Sequence, residues 1–194
     1  NFSRDSIRKA GYAILVEGYM DYLKLYQNSI KNVVAVSGTS FNERHASVMN
    51  RITQKVVLLY DGDSAGAGAA IKAGWVLLKS GLEPLIVRPP EGQDPDDWIS
   101  NEKNEVILKK ISSPETYLSY HISYNNALSL KGTDRRKYII EITKEISSID
   151  DSIIKNEMFR ILSEKLQVDP EDLIRTMKTQ KIRTTYQTNK DEPI

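Results

Sequence analysis

The sequence predicts an α/β fold, in which a parallel sheet flanked by helices is followed by a smaller helical region. Two observations lead to this prediction. Short, continuously apolar runs, typical of strands buried on both faces, recur in the first half of the chain and are separated by segments with helical spacing. After about residue 104 no convincing run of this kind occurs, and amphipathic helical patterns replace them.

Four strands alternate with helices in the first half of the chain. The strands are predicted at residues 12–16, 33–36, 56–60 and 84–88, after a polar opening segment that is compatible with a helix. The helices between them are predicted at residues 19–26, 42–51 and 65–79, the second with Asn42 as its N-cap. Short elements in this order are typical of a parallel sheet with helices on both faces.

The second half of the chain is predicted to be helical. A short helix begins after Asp94, and Trp98 is expected to anchor this helix on the sheet. Further helices are predicted at residues 114–128, 134–149, 151–166 and 170–178. We therefore predict an α/β domain over residues 1–103, a helical subdomain over residues 104–180, and a disordered tail or linker over residues 181–194.

Composition excludes several classes of site. Lys and Arg number 27 against 26 Asp and Glu, so the net charge of +1 does not by itself indicate a nucleic-acid binder. The absence of cysteine excludes disulfides, thiolate zinc sites and a cysteine nucleophile within this chain. No apolar run approaches the roughly 20 residues of a membrane span, so no membrane partner is expected. The chain does not open with Met, which predicts a segment of a longer protein.

Acidic residues follow three of the four predicted strands. They are Glu17 after the first strand, Asp61 and Asp63 after the third, and Asp94, Asp96 and Asp97 after the fourth, with Asp21 one helical turn beyond Glu17. Because the carboxyl ends of parallel strands lie on one edge of a sheet, these side chains are expected to converge. Carboxylates without Cys or His partners favour Mg²⁺ or Mn²⁺, and therefore phosphoryl or nucleotidyl transfer.

Other interpretations of these residues stay open or are excluded. Acidic residues at strand ends also form turns and N-caps, and this alternative is strongest for Asp96 and Asp97. A dinucleotide-binding GxGxxG motif is excluded because Ile71 stands where the third glycine is required, and no GxxxxGK[ST] pattern occurs. The small residues at positions 65–70 are interpreted instead as allowing a helix to pack close to the sheet.

Four segments carry a resemblance to a known family. They are EGYMD (17–21), SGTS (37–40), YDGDSAGAGAA (60–70) and EGQDPDDW (91–98). In this order and spacing they resemble the Toprim domain of bacterial DnaG-type DNA primases. The helical region that follows resembles the small helical subdomain that closes the primase RNA polymerase domain, so that the resemblance covers about residues 5–175.

The resemblance implies DNA-templated synthesis of short RNA primers from ribonucleoside triphosphates in the bacterial cytoplasm at the replication fork. It implies Mg²⁺ or Mn²⁺ as cofactor, single-stranded DNA as template, and a replicative helicase as partner through a domain absent here. The acids of the family that are central to catalysis and metal binding correspond to Glu17, Asp61 and Asp63. Further acids of the same metal site correspond to Asp21, Asp94 and Asp96, whereas Asp97 falls at a variable position.

The sequence also departs from the family pattern. The zinc ribbon and the basic N-terminal subdomain that precede the Toprim domain in primases are not evident, and Ser64 stands where a basic residue is frequent. We therefore expect a catalytic centre with little or no polymerase activity of its own. Two alternatives stay open, a Toprim-type metal-dependent nuclease and a module that binds nucleic acid without catalysis.

Overall fold

The computed structural model describes residues 3–173 and residue 175. The chain divides into two compact units, Asn1–His121 and Ile122–Ile194. The domain boundary predicted at residue 103 stays a prediction. The predicted tail at residues 181–194 lies outside the described residues, as does part of the helix predicted at residues 170–178. Within the described part of the chain, no helix is long and apolar enough to span a membrane.

The first unit contains the sheet and the helices around it. Its helices are α1 (Arg4–Ala10), α2 (Tyr19–Gln27), α3 (Glu43–Asn50), α4 (Ser64–Lys79), α5 (Pro95–Asn101) and α6 (Asn104–Ser112). Its strands are β1 (Ala13–Val16), β2 (Val33–Ala35), β3 (Lys55–Leu58), β4 (Glu83–Ile86) and β5 (Glu115–Thr116). The predicted order of strands and helices up to residue 101 is confirmed.

Beyond residue 103 the structure corrects the sequence prediction in three places. A strand, β5, occurs where none was expected, and it pairs antiparallel with β4. Helix α6 was not predicted, and the helix expected at residues 114–128 is shorter, since α7 covers only Tyr117–Tyr124. A two-residue strand has no measurable periodicity, so its position depends on the neighbouring strand and not on its own sequence.

The second unit contains α8 (Gly132–Ser147) and α9 (Ser152–Leu166), close to the predicted bounds. Helix α9 is capped by Asp151, whose carboxylate accepts hydrogen bonds from the backbone N–H groups of Ile153 and Ile154. Buried residues from both helices form the core of this unit, namely Tyr138, Ile142, Ile146, Met158, Leu162 and Leu166. Both segments are therefore helices with an apolar buried face, in agreement with the amphipathic helices predicted there.

The order of the strands determines where a ligand site can form. The sheet has the order β2-β1-β3-β4-β5, with the first four of these strands parallel. The chain leaves β1 to form β2 on one side and then returns to form β3 on the other side of β1. Such a reversal opens a crevice outside the carboxyl ends of the two strands, which is where α/β sheets bind ligands.

One hydrophobic core packs against the sheet and holds α5 in place. Its buried members are Ile14, Val16, Leu25, Ile30, Val33, Val57, Leu59, Val87, Trp98, Ile99, Ile107 and Ile111. The predicted anchoring role of Trp98 is confirmed, since this side chain on α5 is 2% exposed. Its burial keeps the acidic N-terminus of α5 beside the carboxyl edge of the sheet.

Candidate metal centre

A cleft of about 1040 Å³ opens at the carboxyl ends of β1 and β3. The structure brings five of the six predicted site residues to its walls, namely Glu17, Asp21, Asp61, Asp94 and Asp96. They come from the end of β1, the first turn of α2, the segment after β3 and the N-terminus of α5. The acidic residues that are far apart in the sequence therefore surround one space at the point where the strand order reverses.

Asp63, the sixth predicted residue, has a different position. It is the N-cap of α4, where its Oδ1 accepts a hydrogen bond from the backbone N–H of Gly66 at 2.7 Å. It is not among the residues that line the cleft. Its negative charge nevertheless contributes to raising the pKa values of Glu17 and Asp61. Asp63 therefore has a structural role in the fold, and its role as a metal ligand stays a prediction.

The turn at residues 61–63 is joined to the loop before α5 through Gly62. The Gly62 N–H donates to the Gln93 carbonyl at 2.8 Å, and the Gly92 N–H donates to the Gly62 carbonyl at 3.1 Å. A Cβ atom at position 62 would lie only 2.4 Å from the Pro90 carbonyl oxygen, so glycine is required for this approach. The two hydrogen bonds bring Asp94 to the same cleft as Asp61.

Asp94 is held by a hydrogen bond of its own. It is the N-cap of α5, and its Oδ1 accepts a hydrogen bond from the Asp97 N–H at 2.6 Å. The capping alternative that was open for Asp96 and Asp97 therefore applies to Asp94 instead. Pro95 follows as the first residue of the helix. Proline suits this position because a backbone N–H there would have no acceptor within the helix.

Asp21 connects the starts of two helices. Its Oδ2 accepts a hydrogen bond from the Gly18 N–H at 3.0 Å, and its Oδ1 accepts one from the Asp96 N–H at 3.3 Å. Asp96 in turn forms an ion pair with Lys24 of α2 at 3.4 Å. Burial raises the pKa of Asp21, the charge of Asp61 acts in the same direction, and the two N–H groups oppose the shift. Asp21 therefore aligns α2 with α5 at the edge of the cleft.

Glu17 has the least satisfied carboxylate in the cleft. Its Oε1 is buried and has no hydrogen-bond partner. Burial, followed by the charges of Asp61, Asp21 and Asp63, raises the pKa of Glu17 above its ordinary value. A buried oxygen with this environment lacks the positive partner that a carboxylate requires. The residues present therefore fit a hard divalent cation, which prefers carboxylate oxygens.

The side chains are not arranged as a complete metal site. Within residues 3–173 and 175, no group of three His, Cys, Asp or Glu side chains is arranged so that it could hold one ion. Burial and the charges of Asp94 and Asp63 raise the pKa of Asp61, which shows that these carboxylates repel one another. Coordination of an ion by several of them therefore requires carboxylate side chains to rotate toward a common point.

Sequence reasoning missed part of the cleft lining. Residues 38–41, which follow β2, form part of one wall, and Lys72 extends from α4. The loop lies close because the Ser37 N–H donates to the Glu17 carbonyl at 3.0 Å. The signal for Lys72 was present in the sequence, since it lies seven residues after Ala65 and so on the same face of the predicted helix.

Comparison with known proteins agrees with this architecture. Residues 14–99 match the Toprim-like family. The chain is 34% identical over 199 aligned residues to the DNA primase of Staphylococcus epidermidis, an alignment that covers 100% of this chain and 33% of that protein. The chain therefore spans about one third of the length of this relative.

Solved structures give the same result at the level of the fold. The zinc-binding and RNA polymerase domains of the Aquifex aeolicus primase superpose with a TM-score of 0.74 and 31% identity, over 89% of this chain and 41% of that one. A DnaG primase catalytic domain bound to single-stranded DNA superposes with a TM-score of 0.71 and 27% identity. The superposition covers 84% of this chain and 53% of that one. By sequence and by fold, the chain therefore contains a Toprim-like domain and is similar to the catalytic cores of DnaG-type DNA primases.

Proposed function

We propose that this chain provides the metal-dependent nucleotidyl-transfer centre of a DNA primase, which synthesises short RNA primers on a DNA template. The observation that carries the proposal is the buried, unpartnered Oε1 of Glu17, in a cleft where the charges of Asp61 and Asp21 act on it. A bound cation would satisfy this oxygen and reduce the repulsion among the carboxylates. The relatives named DNA primase support the choice of reaction.

The carboxylates have separate parts in the proposed centre. Glu17, Asp61 and Asp63 would hold Mg²⁺ or Mn²⁺, and Asp94 and Asp96 would add negative charge around it. A metal bound there would neutralise negative charge on the nucleoside triphosphate and on the leaving pyrophosphate, and would assist attack by the 3′-hydroxyl. Asp21 has a positioning role, because both of its oxygens already accept backbone hydrogen bonds.

The substrates and partners of the whole protein are part of the same proposal. Ribonucleoside triphosphates would be the substrates and single-stranded DNA the template, as supported by the DnaG catalytic domain that was solved bound to single-stranded DNA. The replicative helicase would be contacted through a segment outside this chain, in the bacterial cytoplasm. On its own, the chain is proposed to be weakly active or inactive as a polymerase.

Metal titration tests the proposal on the chain itself. We would titrate Mg²⁺ and Mn²⁺ by calorimetry into the wild-type chain, into Glu17→Gln and into Asp97→Asn, a control that removes one charge on α5 outside the cleft lining. Binding is expected in the wild type and the control, and roughly tenfold or more weaker in Glu17→Gln with an unchanged circular dichroism spectrum. Absence of binding in the wild type, or equal binding in Glu17→Gln, would overturn the proposal.

Product analysis separates the alternatives. The chain is incubated with single-stranded DNA, ribonucleoside triphosphates and Mg²⁺, and both RNA and DNA are examined on gels. New short RNA that disappears in Glu17→Gln supports primer synthesis. Shortened DNA supports the nuclease alternative. Metal binding without either product fits a non-catalytic module and equally a primase centre that is inactive on its own.

A further inference from the structure

Helix α4 contributes a face of small residues to the cleft. Ala65, Gly68, Ala69 and Lys72 all line it, and their spacing places them on one side of the helix. A Cβ atom added at Gly68 would meet no other atom within 4 Å, so the space above this residue is open. No large side chain on this face separates Lys72 from the carboxylates at the start of the helix.

Lys72 is the cation among the described residues that line the cleft, where it is accompanied by five carboxylates. Its side chain is exposed. In the described part of the chain it forms no ion pair or hydrogen bond, unlike Lys24, which pairs with Asp96. The cleft therefore has an acidic end, suited to a cation, and a free ammonium group at some distance along α4.

The separation of these two ends suits an extended polyanion. Lys72 lies eight residues beyond Ser64, which corresponds to roughly 12 Å along the axis of an α-helix. Long helical side chains point back toward the N-terminus, so the ammonium group extends toward the acidic end. A ligand held by a metal ion at the carboxylates could thus place further negative groups beside Lys72. The lysine ammonium is a common binder of phosphate.

This inference rests on the proposed function. We propose that Lys72 binds the terminal phosphates of the incoming nucleoside triphosphate, and that these phosphates lie along the small-residue face of α4. Glu17 Oε1 gives independent support, since a buried carboxylate oxygen without a partner indicates a cation at the other end of the same cleft. The metal and Lys72 would then hold opposite ends of the triphosphate. Neither Ser64 nor any other residue of the first turn of α4 supplies this positive charge.

The charge of Lys72 is tested by binding in the presence of saturating Mg²⁺. Inorganic tripolyphosphate and ATP are titrated by calorimetry into the wild-type chain, Lys72→Met, Lys72→Arg and the control Lys109→Met, which removes an exposed lysine on α6. We expect roughly ten- to hundredfold weaker binding of both probes in Lys72→Met, because a hydrogen bond to a charged group is lost. Lys72→Arg should retain most of the affinity, and Lys109→Met all of it.

A larger side chain at position 68 tests whether the phosphates lie along α4, without changing any charge. Gly68→Leu places a branched side chain in the open space between Lys72 and the carboxylates, and Gly68→Ala is its small control. We expect Gly68→Leu to lose tripolyphosphate binding while Mg²⁺ binding and the melting temperature are preserved. Gly68→Ala should bind tripolyphosphate as the wild type does.

The outcomes distinguish failure of this inference from failure of the proposed function. If the wild-type chain does not bind Mg²⁺, the proposed function fails and the inference fails with it. If it binds Mg²⁺ but not tripolyphosphate, or if Lys72→Met binds tripolyphosphate as tightly as the wild type, the inference is overturned and the metal centre stands. Retained binding in Gly68→Leu would overturn the path along α4.

Discussion

At the scale of single residues, the acids of the cleft have similar chemistry but different surroundings. Asp63 and Asp94 each cap a helix through one oxygen, and Asp21 accepts hydrogen bonds at both oxygens. Glu17 keeps a buried oxygen without a partner. Leaving such a group unsatisfied costs about 1–3 kcal/mol, and more when it is charged. Among these acids, Glu17 is therefore the one at which a bound cation should stabilise the folded protein most.

Neutralising Asp61 should stabilise the metal-free protein. Its pKa is raised by burial and by the charges of Asp94 and Asp63, so Asp61→Asn removes a repulsive interaction. We expect the free energy of unfolding in EDTA at pH 7 to rise by on the order of 0.5–1 kcal/mol, since solvent screens partly exposed charges. Urea denaturation measures this change. Asp97→Asn is the control and should change little, and a destabilised Asp61→Asn would contradict the prediction.

The stability of the metal-free protein should increase as the solution is acidified below neutral pH. Glu17, Asp21 and Asp61 have pKa values above their ordinary 4.5 or 3.8 in the folded state. Between these ordinary values and the raised ones the folded state binds more protons than the unfolded state, so unfolding becomes harder as pH falls through the raised values.

Urea midpoints at pH 7, 6 and 5 in EDTA test this pH dependence. Saturating Mg²⁺ should remove or reverse the trend, because a cation competes with protons for the same oxygens. The trend should also be smaller in Asp61→Asn. If the urea midpoint of the metal-free protein falls steadily from pH 7 to pH 5, groups other than these three carboxylates dominate the pH dependence of its stability.

At the scale of elements, two of the three glycines of helix α4, Gly68 and Gly74, have different surroundings. Gly74 is buried, and a Cβ atom there would lie 2.1 Å from the ring of Tyr117, whose hydroxyl donates to the Ile71 carbonyl. A Cβ atom at Gly68 would meet nothing. Packing therefore requires glycine at position 74, whereas position 68 has room for a small side chain.

The pair Gly68→Ala and Gly74→Ala should change stability in opposite directions. Alanine improves helix propensity by up to about 1 kcal/mol, so Gly68→Ala should raise the free energy of unfolding. At Gly74 the collision with Tyr117 outweighs this gain, and we expect a net loss of about 1–3 kcal/mol. Chemical denaturation of both variants checks the signs. Equal stabilisation by both would mean that the ring of Tyr117 moves away at little cost.

The turn at residues 61–63 and the loop before α5 behave as one element. The close approach at Gly62 and its two hydrogen bonds join them. This pairing explains in physical terms why YDGD and DPDD occur together, since the first positions the second. It also makes Trp98 relevant to the cleft, because its burial keeps Asp94 at the end of α5 in position.

At the scale of the whole molecule, Mg²⁺ should stabilise the chain if it binds only the folded state. At a free concentration of one hundred times its dissociation constant, the gain in unfolding free energy should be about 2.7 kcal/mol. Thermal melting with and without Mg²⁺ measures it, and Asp61→Asn should show little of the gain. A melting temperature that rises equally in the wild type and in Asp61→Asn would indicate binding elsewhere.

Much of the fold and part of the site could be predicted from local patterns. The apolar runs around Ile14 and Val57 predicted buried strands because each run is continuous and bounded by turn residues. The acids after these strands were predicted to converge because parallel strands share one edge. Helical spacing places Lys72 on the same face as Ala65, but sequence order does not specify which face of α4 lines the cleft. Nor does it specify that Asp63 caps α4 and does not line the cleft.

The sequence by itself determined the order of strands and helices, the acidic residues at the strand ends and the resemblance to primase Toprim domains, because each depends on neighbours within a few positions. Only the tertiary structure decided that Glu17 keeps a buried oxygen without a partner, that Asp94 and not Asp96 caps α5, and that β5 joins the sheet. The surroundings of Glu17 and the pairing of β5 depend on contacts between segments distant in the chain, whereas the α5 cap is a local hydrogen bond between Asp94 and Asp97. Burial, hydrogen bonding and repulsion at such contacts are properties of the assembled fold.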